Sequence, residues 1–143
     1  MAVQVSGDPA LTIGEDLRLL PIELRKSARP RLRRAGDVIA SAAKNNASWS
    51  KRIPPTIRVR TSFRFERETI YVIAGGPTTP HARPYEGAGG KASFRHPVHG
   101  NREVWVAQPT RPYLWPAGKE HGPEAEVAIR QALNETAAKL GFS

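Results

Sequence analysis

The sequence predicts an α+β domain with a long N-terminal helix, a small antiparallel sheet containing a β-hairpin, and a C-terminal helix packed on that sheet. Two observations lead to this prediction. Apolar residues recur every three or four positions in one stretch before residue 47 and another after residue 118, as on the buried face of a helix. Between these stretches, apolar and polar residues alternate as in a half-buried strand. Helices and strands in separate runs are typical of α+β architecture.

Length and composition limit the class of protein. The 143 residues suit a single domain spanning 1–143, and the 12 Gly and 13 Pro predict many turns. The absence of cysteine excludes a disulfide framework, a Cys-ligated zinc site and thiol catalysis. No apolar run reaches the ~18–20 residues of a membrane span, and no signal peptide opens the chain. We therefore expect a soluble protein that is cytosolic at synthesis, with no membrane partner.

The first helical region is predicted at 14–47, after an N-terminal arm at 1–13. Its apolar stripe has six members: Leu24, Ala28, Leu32, Ala35, Ile39 and Ala42. Four basic residues fall outside the stripe, and we expect them to face solvent or a partner: Arg25, Arg29, Arg33 and Lys44. Pro30 lies inside the pattern. Because proline removes a helical hydrogen bond, we expect the helix to be kinked or split near this residue.

The sheet is predicted within residues 55–108. In the first strand, apolar residues from Ile57 to Phe63 alternate with Arg58, Arg60 and Arg64. The second strand, 69–74, is apolar on both faces and should be the more buried partner of a hairpin. A third strand is predicted at 103–107.

The remaining segments are rich in proline and glycine. Residues 77–101 are predicted to form a long loop, which in a small domain usually carries function or becomes ordered against a partner. A Pro-rich turn is predicted at 109–117 and a C-terminal helix at 118–143. That helix should start near Pro123 and end at Gly141. Its expected inward face comprises Ala125, Ile129, Ala132, Leu133, Thr136 and Leu140.

Positive charge is concentrated in one segment. The formal net charge is +9, but residues 25–67 hold 13 basic and only 2 acidic residues, a net of +11. The rest of the chain holds 9 basic and 11 acidic residues, a net of −2. The arginines of the first hairpin could contact phosphate, contact an acidic neighbouring subunit, or form an ordinary solvated face.

Motifs for catalysis are weak. His96, His99, Asn101 and Glu103 could suggest a metal-dependent nuclease, but they lie in a Pro/Gly segment with no helix to bring them together, which favours a structural turn. The stretch 87–91 lacks the spacing of a phosphate-binding loop, and no serine has a convincing His/Asp partner. We expect no catalytic residue, no metal and no cofactor.

One region resembles a known family. The stretches 81–87 (HARPYEG), 95–102 (RHPVHGNR) and 104–117 (VWVAQPTRPYLWPA) resemble the small neck or tail-completion proteins of long-tailed double-stranded DNA bacteriophages. The similarity runs from the helix near Leu24 to the closing helix. Many members have a Thr-Gly-x-Leu segment between the helix and the first strand, where this chain has residues 48–52 (SWSKR).

The resemblance implies a structural role. Such proteins form a ring, commonly a hexamer, between the head connector or stopper and the tail terminator or tail tube. Genomic DNA passes through the lumen of the ring. The implied location is the virion neck, reached from the host cytoplasm during assembly, and the implied partners are other copies and neighbouring neck proteins. No catalytic residues are carried over.

Nine residues are candidates for a subunit interface or a lumen lining: Arg58, Arg60, Arg64, Arg67, Arg83, Tyr85, Arg111, Tyr113 and Trp115. Arg111, Pro112, Tyr113 and Trp115 should form a packed corner, facing either this chain's own core or a neighbour. The alternatives are a basic nucleic-acid-binding protein that uses residues 25–67 and, more distantly, a nuclease at His96 and His99. Whether the arginines meet DNA or acidic protein is open at this stage.

Overall fold

The computed structural model describes residues 2–6, 10–15, 20–64, 67–87 and 91–141. It confirms the α+β class, with a long N-terminal helix, antiparallel sheets and a C-terminal helix. A single turn of 3₁₀ helix at Pro54–Thr56 precedes β3. The helices and strands are β1 (Ala2–Ser6), β2 (Ala10–Glu15), α1 (Ile22–Asn46), β3 (Arg58–Arg64), β4 (Arg67–Ile73), α2 (Ala82–Glu86), β5 (Ser93–Val98), β6 (Asn101–Pro109) and α3 (Leu114–Lys139).

The main sheet has four antiparallel strands in the order β1-β2-β4-β3. The predicted β3–β4 hairpin is confirmed, with Val59 opposite Val72 and Thr61 opposite Ile70. The prediction of an arm at 1–13 is wrong, because β1 and β2 form a second hairpin that pairs with β4. Valines and isoleucine alternating with polar residues around positions 3–5 and 11–13 are the strand signal that was missed. As predicted, β4 is the more buried strand, with Ile70 and Val72 fully buried.

Helix α1 packs its apolar stripe against this sheet and against α3. The stripe is confirmed from Leu24 to Ile39, whereas Ala42 is half-buried and Ala43 takes the innermost position. A Cβ at Gly36 would lie only 2.7 Å from Ile70 Cγ2, so this glycine lets the helix approach β4 closely.

The bounds of α1 differ from the prediction of 14–47. Residues 10–15 belong to β2, residues 16–19 lie outside the described ranges, and the helix begins at Ile22 after Pro21. It continues unbroken through Pro30, so the predicted split is wrong. Proline removes one internal hydrogen bond, but packing of the stripe on both sides of Pro30 holds the two halves in one helix. Arg25, expected at the surface, is buried.

Helix α3 begins at Leu114, four residues before the predicted start at 118. The Pro-rich segment 109–117 is therefore partly helical, because Pro116 lies in the first turn, where no internal N–H bond is required. Pro123 lies inside the helix instead of at its start. Ala125, Ile129 and Ala132 face the core as predicted, whereas Leu140 is exposed. Gly141 follows the helix with a φ of 82°, as expected of a terminating glycine. Residues 142 and 143 lie outside the described ranges.

The segment 77–101 is not one long loop. It contains helix α2 and strand β5, and β5 pairs with β6 in a separate two-stranded sheet. The third predicted strand exists as β6, but it does not join the main sheet. None of the helices in the described ranges is long and apolar enough to cross a lipid bilayer.

Candidate interaction site

A buried carboxylate joins α2 to the start of α3. Glu86 Oε2 accepts hydrogen bonds of 2.9 Å from the backbone N–H groups of Tyr113 and Leu114, and Oε1 accepts one of 2.8 Å from Trp115. A helix cannot satisfy its first N–H groups internally, and a negative charge at this end also favours the helix dipole. Burial raises the pKa of the Glu86 carboxyl, and the three N–H donors partly offset the rise.

Tyr113 completes this corner from inside. Its side chain is fully buried, and its hydroxyl donates a hydrogen bond of 2.8 Å to the carbonyl of Ala82 at the start of α2. Burial, together with the nearby Glu86 charge, raises the pKa of the Tyr113 phenol. The Asn46 side chain at the end of α1 donates to the Tyr113 carbonyl at 3.1 Å. Tyr113 therefore belongs to the chain's own core and offers no surface to a neighbour.

A row of half-buried rings runs beside the same corner. Trp49 and Tyr85 have ring centroids 4.7 Å apart, and Tyr85 packs edge-on against Phe94 at 5.0 Å. The guanidinium of Arg111 lies 4.6 Å from the Trp49 ring centroid, a cation–π contact, and the Arg111 backbone N–H donates to the Tyr85 carbonyl. These contacts attach the beginning of β5 to the body of the protein.

Strands β5 and β6 form a hairpin, residues 93–109, that we call the hairpin arm. Its tip is a two-residue turn in which His99 and Gly100 have φ values of 50° and 77°, as in a type I′ turn. Residues 102–104 form an irregularity with no partners on β5. The Trp105 indole N–H donates to the carbonyl of Arg102 across this irregularity.

The hairpin arm exposes apolar surface. Val104, Trp105 and Val106 are 49%, 45% and 40% exposed, although strand positions of this kind are usually buried on at least one side. Among the described elements, β5 and β6 pack extensively only on each other. A two-stranded ribbon on its own is marginally stable in water, and large apolar side chains left exposed along a strand are a sign of an interaction site. The hairpin arm is therefore the strongest candidate for a partner-binding surface.

A second apolar surface lies in a groove between α1 and α3. The groove has a volume of about 120 Å³. Alanine and valine form much of its lining, with charged residues around them. We call it the α1–α3 groove and define it by Arg31, Arg34, Ala35, Val38, His121, Glu124, Ala125 and Ala128.

The nine predicted site residues separate into two groups. Tyr85, Arg111, Tyr113 and Trp115 meet at the Glu86 corner, with only Trp115 and Arg111 presenting side chains to solvent. Of the four residues predicted to form a packed corner, only Tyr113 is buried in the chain's own core, whereas Arg111, Pro112 and Trp115 are exposed. Arg83, also exposed, lies on the adjoining helix α2.

The arginines of the hairpin lie apart from this corner, on β3 and β4. Arg58 donates to the carbonyls of Thr56 and Gly75 and so connects the beginning of β3 with the end of β4. Arg60 is exposed, and Arg64 pairs with Arg67 in the strand register. The side chains of Arg64 and Arg67 lie outside the described residues.

The histidines proposed for a nuclease have structural contacts. The His96 ring bonds to Gln108 across the hairpin arm at 3.2 Å, and His99 forms the turn, as the preferred interpretation predicted. In the described ranges, no three His, Asp or Glu side chains converge as metal ligands would.

Sequence reasoning missed Glu86, Trp49 and Phe94. Glu86 acts on residues 27–29 positions later in the chain, so no local pattern marks it. A Gly87 with a φ of 69° directly after it does indicate that α2 ends there.

Comparisons with known proteins return no relatives: no family model matches the chain, and neither a curated protein nor a solved structure matches it.

Proposed function

We propose that this protein is a non-enzymatic structural subunit of a ring at the head–tail junction of a long-tailed double-stranded DNA bacteriophage. The ring, a hexamer on the pattern of the family it resembles, joins the head connector or stopper to the tail terminator or tail tube. Genomic DNA passes through the lumen. The protein assembles in the host cytoplasm and resides in the virion neck.

The exposed hairpin arm is the observation that supports this role most directly. A ring subunit needs a compact body and projecting segments that gain partners only on assembly, and a ribbon with three exposed apolar residues suits that need. The residues behind the resemblance, 81–117, make up α2, the hairpin arm and the start of α3. The motif thus coincides with one structural unit instead of scattered core positions.

Gene context and a deletion provide the test. We expect the gene to lie between genes for a head connector and a tail tube. Deleting it from the phage or prophage should give lysates in which electron microscopy finds DNA-filled heads and tails separately, and supplying the gene in trans should restore joined particles. Normal yields of joined, infectious particles from the deletion strain would refute the proposal.

A second candidate is duplex DNA binding through residues 25–67, favoured by the exposed Arg60 and the basic residues of α1. Two basic side chains of that segment have structural roles instead. Arg58 donates hydrogen bonds to two backbone carbonyls, and Arg25 is buried. This candidate predicts tight duplex binding by the isolated protein, with a log-affinity against log-salt slope of several units. Fluorescence anisotropy with wild type and Arg60→Glu measures it. The ring proposal expects weak binding instead.

A further inference from the structure

Two unpartnered apolar surfaces of this chain differ in shape. The hairpin arm projects, with Trp105 near its tip, whereas the α1–α3 groove is concave and contains the exposed Val38. The arm is attached to the body at its base through Phe94 and Tyr85, and it makes no extensive contact with α1 or α3 within the described ranges. Each surface is therefore available to another molecule.

We propose that Trp105 of one copy inserts into the α1–α3 groove of a second copy. The groove holds about 120 Å³. A closed apolar cavity of ~150 Å³ holds one benzene molecule, so this smaller groove, which is open to solvent, has room for part of the larger indole ring while the rest lies across its rim. The indole N–H of Trp105 already has its acceptor in the Arg102 carbonyl, so burying the ring does not leave this N–H without a partner.

The charges around the two surfaces are complementary. Glu103, next to Trp105, is exposed, while Arg31 and Arg34 lie along the groove and have no ion-pair partner among the described residues. On the other side of the groove Glu124 is exposed, and Arg102 on the arm offers the opposite charge. Such an arrangement steers association and sets the orientation of the two copies.

We expect a second copy of this protein in the groove, because the projecting indole of Trp105 and the groove belong to the same chain. Contact between two different surfaces of identical subunits is heterologous, and it closes into a ring when the rotation between copies allows. The inference rests on the proposed function, since it supplies the subunit contact that a neck ring requires.

Crosslinking between copies tests the contact. Because the natural chain has no cysteine, single thiols can be placed freely. Val104→Cys, which leaves the adjacent Trp105 intact and carries a size tag, is mixed with untagged Val38→Cys and treated with a thiol oxidant. We expect a mixed-size dimer between the two variants. A variant with both substitutions should give a ladder of covalent oligomers that stops at the ring size.

The matched control is Val127→Cys, also an exposed valine on a helix but absent from the groove lining. Val104→Cys mixed with Val127→Cys should give about tenfold less mixed dimer than Val104→Cys mixed with Val38→Cys, because only the groove position lies at the proposed contact. Equal yields with Val38→Cys and Val127→Cys would overturn the proposal.

A charge swap provides an independent readout that needs no crosslinker. Glu103→Arg and Arg34→Glu should each weaken self-association, measured by analytical ultracentrifugation, by about tenfold, and the double variant should recover most of the loss. Additive losses in the double variant would contradict the pairing. Circular dichroism of each variant confirms that the fold is retained.

The outcomes also separate this contact from the ring function itself. If the deletion strain fails to join heads to tails but the crosslinking pattern is absent, the subunits meet through another surface and only the present inference fails. If both results are negative, the proposed function fails as well. If thiols at residues 38 and 104 crosslink but the deletion strain joins heads to tails normally, the copies associate through this contact but the neck role fails.

Discussion

Glu86 at the end of α2 and Leu114 at the start of α3 are joined by a hydrogen bond of 2.9 Å from the Leu114 N–H to Glu86 Oε2. Tyr113, the residue that precedes the helix, makes no side-chain capping bond. The Glu86 carboxylate, distant in sequence, thus caps the N–H groups that a Ser, Thr, Asp or Asn side chain at the N-cap position usually caps. The beginning of α3, and with it the attachment of the hairpin arm, depends on the placement of α2.

Replacing the carboxylate should weaken the fold. Glu86→Gln keeps the shape of the side chain but turns one acceptor oxygen into a donor, so at least one buried backbone N–H loses its partner. We expect the free energy of unfolding to fall by about 2 kcal/mol near neutral pH, measured by urea denaturation. Glu135→Gln, an exposed change on α3, is the control and should change stability little. Equal stability of the two variants would argue against the capping role.

The buried hydroxyl of Tyr113 offers a finer test of the same corner. Tyr113→Phe removes the buried hydrogen bond from the phenol hydroxyl to the Ala82 carbonyl. The expected loss is about 1 kcal/mol of unfolding free energy. Tyr71→Phe, at a half-buried strand position, is the matched comparison. A cost at Tyr71 as large as that at Tyr113 would mean that the Ala82 bond contributes nothing specific.

Close packing of α1 on the main sheet should make Gly36 intolerant of a side chain. In Gly36→Ala the new Cβ would meet Ile70 Cγ2 at 2.7 Å and Val59 Cγ1 at 3.0 Å. Alanine favours a helix over glycine by about 1 kcal/mol, but the forced shift of packed side chains should cost about 1–3 kcal/mol. We therefore expect Gly36→Ala to give no gain in the free energy of unfolding. If the packing cost exceeds the gain in helix propensity, the denaturant midpoint falls. Gly76→Ala, with open space around its Cβ, should be tolerated. A clear stabilisation by Gly36→Ala would contradict the tight approach.

The contribution of His81 to stability should decrease as the solution becomes mildly acidic. Burial, and then the charge of Arg52, lowers the pKa of His81 below its ordinary 6.5. The unfolded chain therefore takes up a proton more readily than the folded one, so this contribution is complete above pH 6.5 and is lost as the pH falls through 6.5 toward the folded pKa. His81→Asn should flatten the fall in urea midpoint between about pH 7.5 and about pH 5. His99→Asn, at a turn position whose positive φ suits asparagine, is the control. The same flattening in both variants would exclude His81 as the cause.

The spacing of apolar residues was sufficient to predict those helices and strands whose buried face is set by their own sequence. The stripe from Leu24 to Ile39 and the β3–β4 hairpin lie where the sequence predicted them. The β1–β2 hairpin was missed because each strand has only five or six residues and its signal is correspondingly short. Strand β5 was missed because Pro97 interrupts a polar stretch that reads as a loop.

The candidate site could be predicted only in part, since its geometry depends on residues distant in sequence. The corner around Tyr113 was expected, but its orientation toward the core depends on Ala82 and Glu86, which lie about 30 positions earlier. Strand β6 was identified from the apolar run at Val104 and Val106, and such a run is ordinarily a sign of burial. Only the folded arrangement shows that these side chains are exposed, because no element of the described ranges covers them.

The composition of the hairpin arm affects how strongly the free protein tends to aggregate. Exposed ribbons are hazardous in a crowded cell, because their free edges recruit further strands and start fibres. Pro97 in β5 and Pro109 at the end of β6 have no N–H to offer, and Arg95 and Arg102 add like charge to the same ribbon. Edge-to-edge stacking of backbones is therefore discouraged while the apolar side chains stay accessible. A newly made chain can thus stay dispersed while its exposed apolar side chains remain available for a specific contact such as the one we propose.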